Sequence, residues 1–396
     1  MRVVIISHGT YLKQIISCLN ENLDIANIIF MDRFFEGNCD VVLSNKKVKG
    51  SAYAYLKETV SSLYYDYILI GVPPKNTYED SVLKDLKKYG ISSNKIFRLG
   101  GMFINNLYNF SKIFNYIKAD ISKYKIFITG TSRTWRTVDY SQYELPIVSG
   151  AYSSQDLYFD YIQAKKLLSI KGNNFKYAVI GIEKYSFHYD ESLSQSEDFM
   201  MLSYYLNFKD VHNYAVNVHD IELIFNDSFL DSAKNIRLGD KFNLNNFDYH
   251  LADSNISIQT YIDGRNLAEV WKNKKYPKTF IEYKNIFIDY IKMCREHSII
   301  PIVVFFPTTT VYDTFFRKQQ IWDECIQTIK SIRKDYPFIF LGGDFWKDFT
   351  DNDFIDCDHV NYRGAVKCSK KINDIIMKME YEGQEFKIDD YLERIS

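Results

Sequence analysis

The chain has 396 residues, 46% hydrophobic and 25% charged, and its 49 Lys and Arg against 50 Asp and Glu leave a formal net charge of −1. That is the make-up of an ordinary globular protein, and the balanced charge excludes bulk attraction to nucleic acid or to an anionic membrane. The longest dense apolar run, 299–307, falls far short of the ~20 residues that a membrane span needs.

The first residues, Met1-Arg-Val-Val-Ile-Ile-Ser-His8, lack the ~7–15-residue apolar core of a signal peptide and read as a strand. Helix 11–20, strand 28–31, helix 52–63, strand 67–72, helix 78–89 and strand 95–99 follow. Short apolar strands alternating with amphipathic helices predict a parallel, Rossmann-like sheet over residues 1–115. Its first turn, Ser7-His-Gly-Thr10, carries only Gly9 of the three glycines that a dinucleotide-binding turn uses. A non-binding unit is therefore expected, with His8 either lining a crevice or lying on the surface.

A helix near 104–117 leads to a second α/β region at 120–380. Its expected strands are 124–129, 145–151, 177–182, 299–306 and 337–341, and its helices 155–168, 284–296, 321–334 and 363–377. Residues 190–275 interrupt this order with weak periodicity, as a cap over a site or a peripheral packing unit would. The residues from 381 to 396 read as a charged surface tail. The fold class expected is α/β, with two parallel three-layer domains. The six cysteines form no Cys-x-x-Cys pair, so reduced thiols, a cytoplasmic location and no metal or cofactor are expected.

Two short segments can carry chemistry. After the strand 124–129 comes Gly130-Thr-Ser132-Arg, where a glycine allows a tight turn and a serine stands exposed beside backbone N–H groups that can hold an oxyanion. Near the end comes Asp356-Cys-Asp-His359-Val-Asn-Tyr-Arg-Gly. A spacing of three places Asp356 and His359 on one face of a helical turn, so that the carboxylate fixes the tautomer and the other ring nitrogen takes a proton. Asp358 is expected to point elsewhere, and a capped helix start is the alternative reading of the segment. The carboxyl ends of parallel strands gather on one edge. This brings in the turn 149–156, with the backbone N–H of Ser154 as the second oxyanion donor and Gly150 as the next choice. It also brings in Glu183, Tyr185, Ser186 and His188.

These blocks, with Pro307 ending a strand and Asn361-Tyr-Arg-Gly-Ala365 after the histidine, resemble the SGNH (GDSL-type) hydrolase superfamily over residues 120–378. Within it they look most like bacterial proteins of cell-surface polysaccharide and teichoic-acid acylation. The resemblance implies a flavodoxin-like fold, with Ser132 as nucleophile, His359 as base, Asp356 as its orienter, and oxyanion donors from Ser132 and the second-block turn. This chain departs from the pattern at two places. Ser154 stands for the usual second-block glycine, and Gly181-Ile-Glu183-Lys184 replaces the third-block Gly-x-Asn-Asp. Glu183 is expected to point out of the pocket, with Tyr185 or Ser186 as any third donor. The implied function is a serine-dependent esterase or O-acyltransferase on an acylated carbohydrate or other small ester. The alternatives are a non-catalytic binding or scaffolding protein of the same fold, or nucleotide-sugar binding through the N-terminal unit.

Overall fold

The computed structural model describes residues 1–32, 35–43, 46–72, 77–99, 121–194, 201, 204–205, 207–214, 218–234, 258–272, 277–316 and 320–382. The expected helix at 104–117, the middle of the 190–275 stretch and the tail beyond 382 lie outside them. The chain divides into two compact units: Met1–Ser111 with Ser192–Arg237, and Lys112–Glu191 with Leu238–Ser396.

The first unit is a six-stranded sheet in the order β3-β4-β2-β1-β5-β6. Strands β1 (Arg2–Ser7), β2 (Asp24–Phe30), β4 (Lys46–Ala52), β5 (Tyr67–Gly71) and β6 (Ile96–Arg98) run parallel, and β3 (Asn38–Leu43) joins β4 as an antiparallel edge. β1 is buried on both faces, as a central strand of a covered parallel sheet should be. Helices α1 (Gly9–Cys18), α2 (Leu56–Ser62) and α3 (Thr77–Lys88) cross over between strands. The β3–β4 hairpin was not expected from sequence. Part of the 190–275 stretch also belongs here: Tyr205, Ile221, Ile224, Phe225 and Leu230 complete a core with Val3, Ile5, Ile15 and Leu69. That segment is therefore a packing unit of the first sheet.

The second unit is a fully parallel five-stranded sheet, β11-β10-β9-β7-β8, formed by β7 (Ile126–Thr129), β8 (Ile147–Ser149), β9 (Tyr177–Gly181), β10 (Ile300–Val304) and β11 (Ile339–Leu341). One face packs Phe127, Ala178, Ile180 and Val303 against helices α5 (Leu157–Leu168), α7 (Pro277–Glu296) and α9 (Gln320–Asp335). The other packs Ile126, Ile128, Val179 and Val304 against α10 (Tyr362–Glu382). Between these lie three elements: α4 (Ser132–Thr137), right after β7, α6 (Ile258–Lys272) and α8 (Thr310–Phe316). Both units are three-layer α/β assemblies, the class expected. With every strand of the second sheet parallel, the turns after β7, β8, β9, β10 and β11 all emerge at one edge.

Candidate active site

The turn after β7 is shaped by glycine. Gly130 has φ +142°, and a Cβ there would collide with the Thr134 side chain and come within 3.0 Å of the Gly181 carbonyl. A Cβ on Gly181 would strike the same threonine, so both glycines let α4 sit tightly over the ends of β7 and β9. Thr131 caps α4, its Oγ1 accepting the Arg133 N–H at 3.2 Å while donating to Glu183 Oε1 at 2.9 Å. This leaves Ser132 as the first helical residue, half-buried and open to solvent.

The histidine comes from the loop beyond β11. The expected helical turn at 356–359 is instead a closed bend: Phe354 bridges Val360, and the Ile355 N–H donates to the His359 carbonyl at 3.0 Å. Asp356 Oδ1 accepts the backbone N–H of Asp358 at 3.0 Å and that of His359 at 2.7 Å, which pins the bend. The same carboxylate reaches His359 Nδ1 at 2.9 Å through Oδ2 and 3.1 Å through Oδ1. It is loop cap and ring partner at once. Helix α10 is capped separately, by Asn361 accepting the Gly364 N–H at 3.0 Å. On the far side of the ring, His359 Nε2 lies 2.8 Å from Ser132 Oγ, across 227 residues of sequence. A hydroxyl against an imidazole whose other nitrogen faces a carboxylate is the geometry by which a general base activates an alcohol.

Asp358 does not point away. Its Oδ1 is 3.2 Å from His359 Nδ1, and its Oδ2 accepts from Arg133 Nε at 3.1 Å and Nη2 at 2.7 Å. Arg133, beside Ser132 and 3% exposed, also pairs through Nη1 with Glu183 and donates from Nη2 to the Tyr312 hydroxyl at 2.6 Å. Burial opposes ionisation of Asp358, but the Arg133 guanidinium and the His359 ring outweigh it and hold the carboxyl far below the usual carboxylate range. Burial likewise works against a charged imidazole. The hydrogen bonds that the ring donates to Asp356 and Asp358 overcome it and push His359 up to about 9. No sequence signal separates this arginine from a surface one, because its partners come from the turn after β9, the loop beyond β11 and helix α8.

Glu183 is not turned outward either. It is buried, bound by Thr131 and Arg133, and its backbone N–H donates to Ser186 Oγ at 2.7 Å. Tyr185 packs with Ala268, Tyr312 and Phe316, and His188 pairs with Glu324 at 3.0 Å. These four residues brace the edge from within. In the turn after β8, the Gly150 N–H donates to the Ile128 carbonyl at 2.7 Å, which commits it to the sheet and removes it as an oxyanion donor. Ser154 adopts φ +62°, the left-handed region where glycine is favoured. No hydrogen bond to its N–H is found among the described residues. Behind it, Gln155 donates to the Gly150 carbonyl at 3.0 Å and to Asp160 at 2.5 Å, and Asp160 accepts the Gly130 N–H. One buried carboxyl group thus links the serine turn to the Ser154 turn.

No protein-family model matches the chain, and no curated protein does. The assignment of a role to this site therefore rests on its geometry. In the first unit, the Asp32 carboxylate accepts the Gly9 N–H at 3.0 Å and meets His8 Nε2 at 3.1 Å. The chain's own carboxylate sits where a dinucleotide-binding turn would present its N–H to phosphate.

Proposed function

We propose that the chain is a serine-dependent esterase or O-acyltransferase. The observation that carries this reading is the 2.8 Å approach of Ser132 Oγ to His359 Nε2, with the Asp356 carboxylate at 2.9 Å from the opposite nitrogen. Ser132 Oγ attacks the ester carbonyl carbon as its proton passes to His359 Nε2. The resulting oxyanion is held by the backbone N–H groups of Ser132 and Ser154. The C–O bond to the leaving alcohol then breaks, the imidazolium returns the proton to that oxygen, and an acyl-Ser132 remains. Water or a sugar hydroxyl, activated by the same histidine, completes the cycle. The acylated carbohydrate as substrate rests on the SGNH resemblance alone.

A second reading, a binding protein of the same fold, is favoured by one feature. Glu183 stands at the third turn, and a carboxylate there supplies no N–H to an oxyanion. Fluorophosphonate labelling of the purified chain, with hydrolysis of a short-chain p-nitrophenyl ester in parallel, separates the two. Labelling that disappears in Ser132→Ala supports the enzyme. Equal turnover and equal absence of labelling in wild type and Ser132→Ala, with acyl transfer from an acylated sugar also absent, supports the binding protein.

A further inference from the structure

We propose that Asp358, gripped by Arg133, is a second positioning carboxylate for His359, so that the guanidinium couples the helix carrying Ser132 to the loop carrying the base. The inference rests on the reading of Ser132 and His359 as nucleophile and base, and adds residues that the triad pattern does not contain.

Three observations carry it. First, two carboxylates face one ring nitrogen: Asp356 at 2.9 Å and Asp358 at 3.2 Å from His359 Nδ1. Second, they sit in different surroundings. The Asp356 side chain is 49% exposed, whereas that of Asp358 is 10% exposed, where its charge is less screened by water. Third, Asp358 is held from behind. Arg133 spends two N–H groups on Oδ2, which turns Oδ1 toward the ring. A planar fork that also engages Glu183 and Tyr312 fixes this carboxylate in a way a flexible ammonium would not.

The groups facing the ring or packed against its partners are Asp356, Asp358 and Cys357 from its own loop, the Cys357 thiol donating to Asp358 Oδ1 at 3.6 Å, with Ser132 and Arg133 from α4, and Glu183 and Tyr185 from the turn after β9. Tyr312 and the Lys184–Asp313 pair lie behind them. Arg133 is the only cation shared by Glu183 and Asp358 among these contacts, so two acids with one base leave a local excess of negative charge that favours a proton on His359.

The test is an NMR titration of the full chain with 15N-labelled histidine, His359 being assigned by the signal lost in His359→Gln. The wild-type ring is expected to titrate well above an ordinary histidine. Asp358→Asn should lower it by ~1 unit or more. Asp356→Asn should leave it above the ordinary value, because Asp358 remains, and the double variant should bring it to that value or below. The pH profile of kcat/KM should move with the ring while KM stays constant. Arg133→Lys, which keeps the charge and loses the fork, should lower kcat at least ~10-fold without changing KM. An ordinary wild-type titration, an unchanged one in Asp358→Asn, or an ordinary one in Asp356→Asn would overturn the proposal, as would full kcat in a folded Arg133→Lys. If Asp358→Asn does not fold, Asp356→Asn decides alone. Failure of the enzyme reading looks different: wild-type Ser132 resists fluorophosphonate while the titrations still report two carboxylates.

Discussion

His359 meets two carboxylates on one side and a hydroxyl on the other, and this decides its charge. A ring pushed up to about 9 is an imidazolium at neutral pH, and Nε2–H then donates to Ser132 Oγ when it should be accepting. The proposed catalysis would draw on the neutral minority. The rate of fluorophosphonate labelling, and kcat/KM for an ester, should rise about tenfold per pH unit from pH 6 and level off near pH 9. Stability should move the opposite way. The folded-state value lies above the ~6.5 of an unfolded histidine, so the stabilisation is fully present below pH 6.5 and lost as pH rises through about 9. Denaturant melts at pH 6 and pH 9 should show a loss of up to about 3 kcal/mol, absent in His359→Gln. Ser132→Ala and His359→Ala should each remove most of the rate, and the double change should add little, because the two act as a unit. Glu183→Asn, which introduces an amide at the turn after β9, should not improve activity. It strips Arg133 of one of two buried carboxylates, and it should destabilise the fold by roughly 3–5 kcal/mol in a urea titration.

At the scale of elements, the turns after β7 and β8 carry the proposed nucleophile and oxyanion donors, and glycine-like backbone is their common device. Gly130→Ala forces a Cβ into Thr134 at a φ that L-residues avoid, and should cost activity and roughly 2–4 kcal/mol of stability. Ser154→Gly fits the existing φ, should stay within about 1 kcal/mol of wild type, and should keep the rate, because the proposed donor is the backbone N–H. A large loss of rate would instead assign the role to the hydroxyl. Most strands were legible in the sequence because each is an apolar run closed by turn residues, as Tyr177–Gly181 is. The β3–β4 hairpin was not, because Lys46–Ala52 holds three lysines in its first four residues and only Val48 and Ala52 as apolar side chains, so no apolar run marks it, and Asn38–Leu43 is an edge strand of exposed and half-covered residues. Ser132, Asp356 and His359 could be picked out from local spacing. The direction of Asp358 could not, because a helical turn and a closed bend send alternate side chains different ways, and only the bridge between Phe354 and Val360 selects the bend.

At the scale of the molecule, the first unit is not continuous in sequence, and this sets how the chain can be divided. Residues 1–111 alone lack Tyr205, Ile221, Ile224, Phe225 and Leu230, which close one face of their sheet. Expressed alone they should melt without a cooperative transition, and a fusion that restores 192–237 should recover one, as followed by circular dichroism. A cut placed from the composition of the first 115 residues misses this, since a weakly periodic stretch shows no sign of which sheet it will cover. The proposed triad is divided too, by the sequence separation of 227 between Ser132 and His359. At ~5–20 residues per second, a ribosome needs roughly 10–45 s to pass from the serine to the histidine. Throughout that interval the nascent polypeptide displays Ser132 without its proposed base, so the proposed reactive centre can assemble only after His359 has been made.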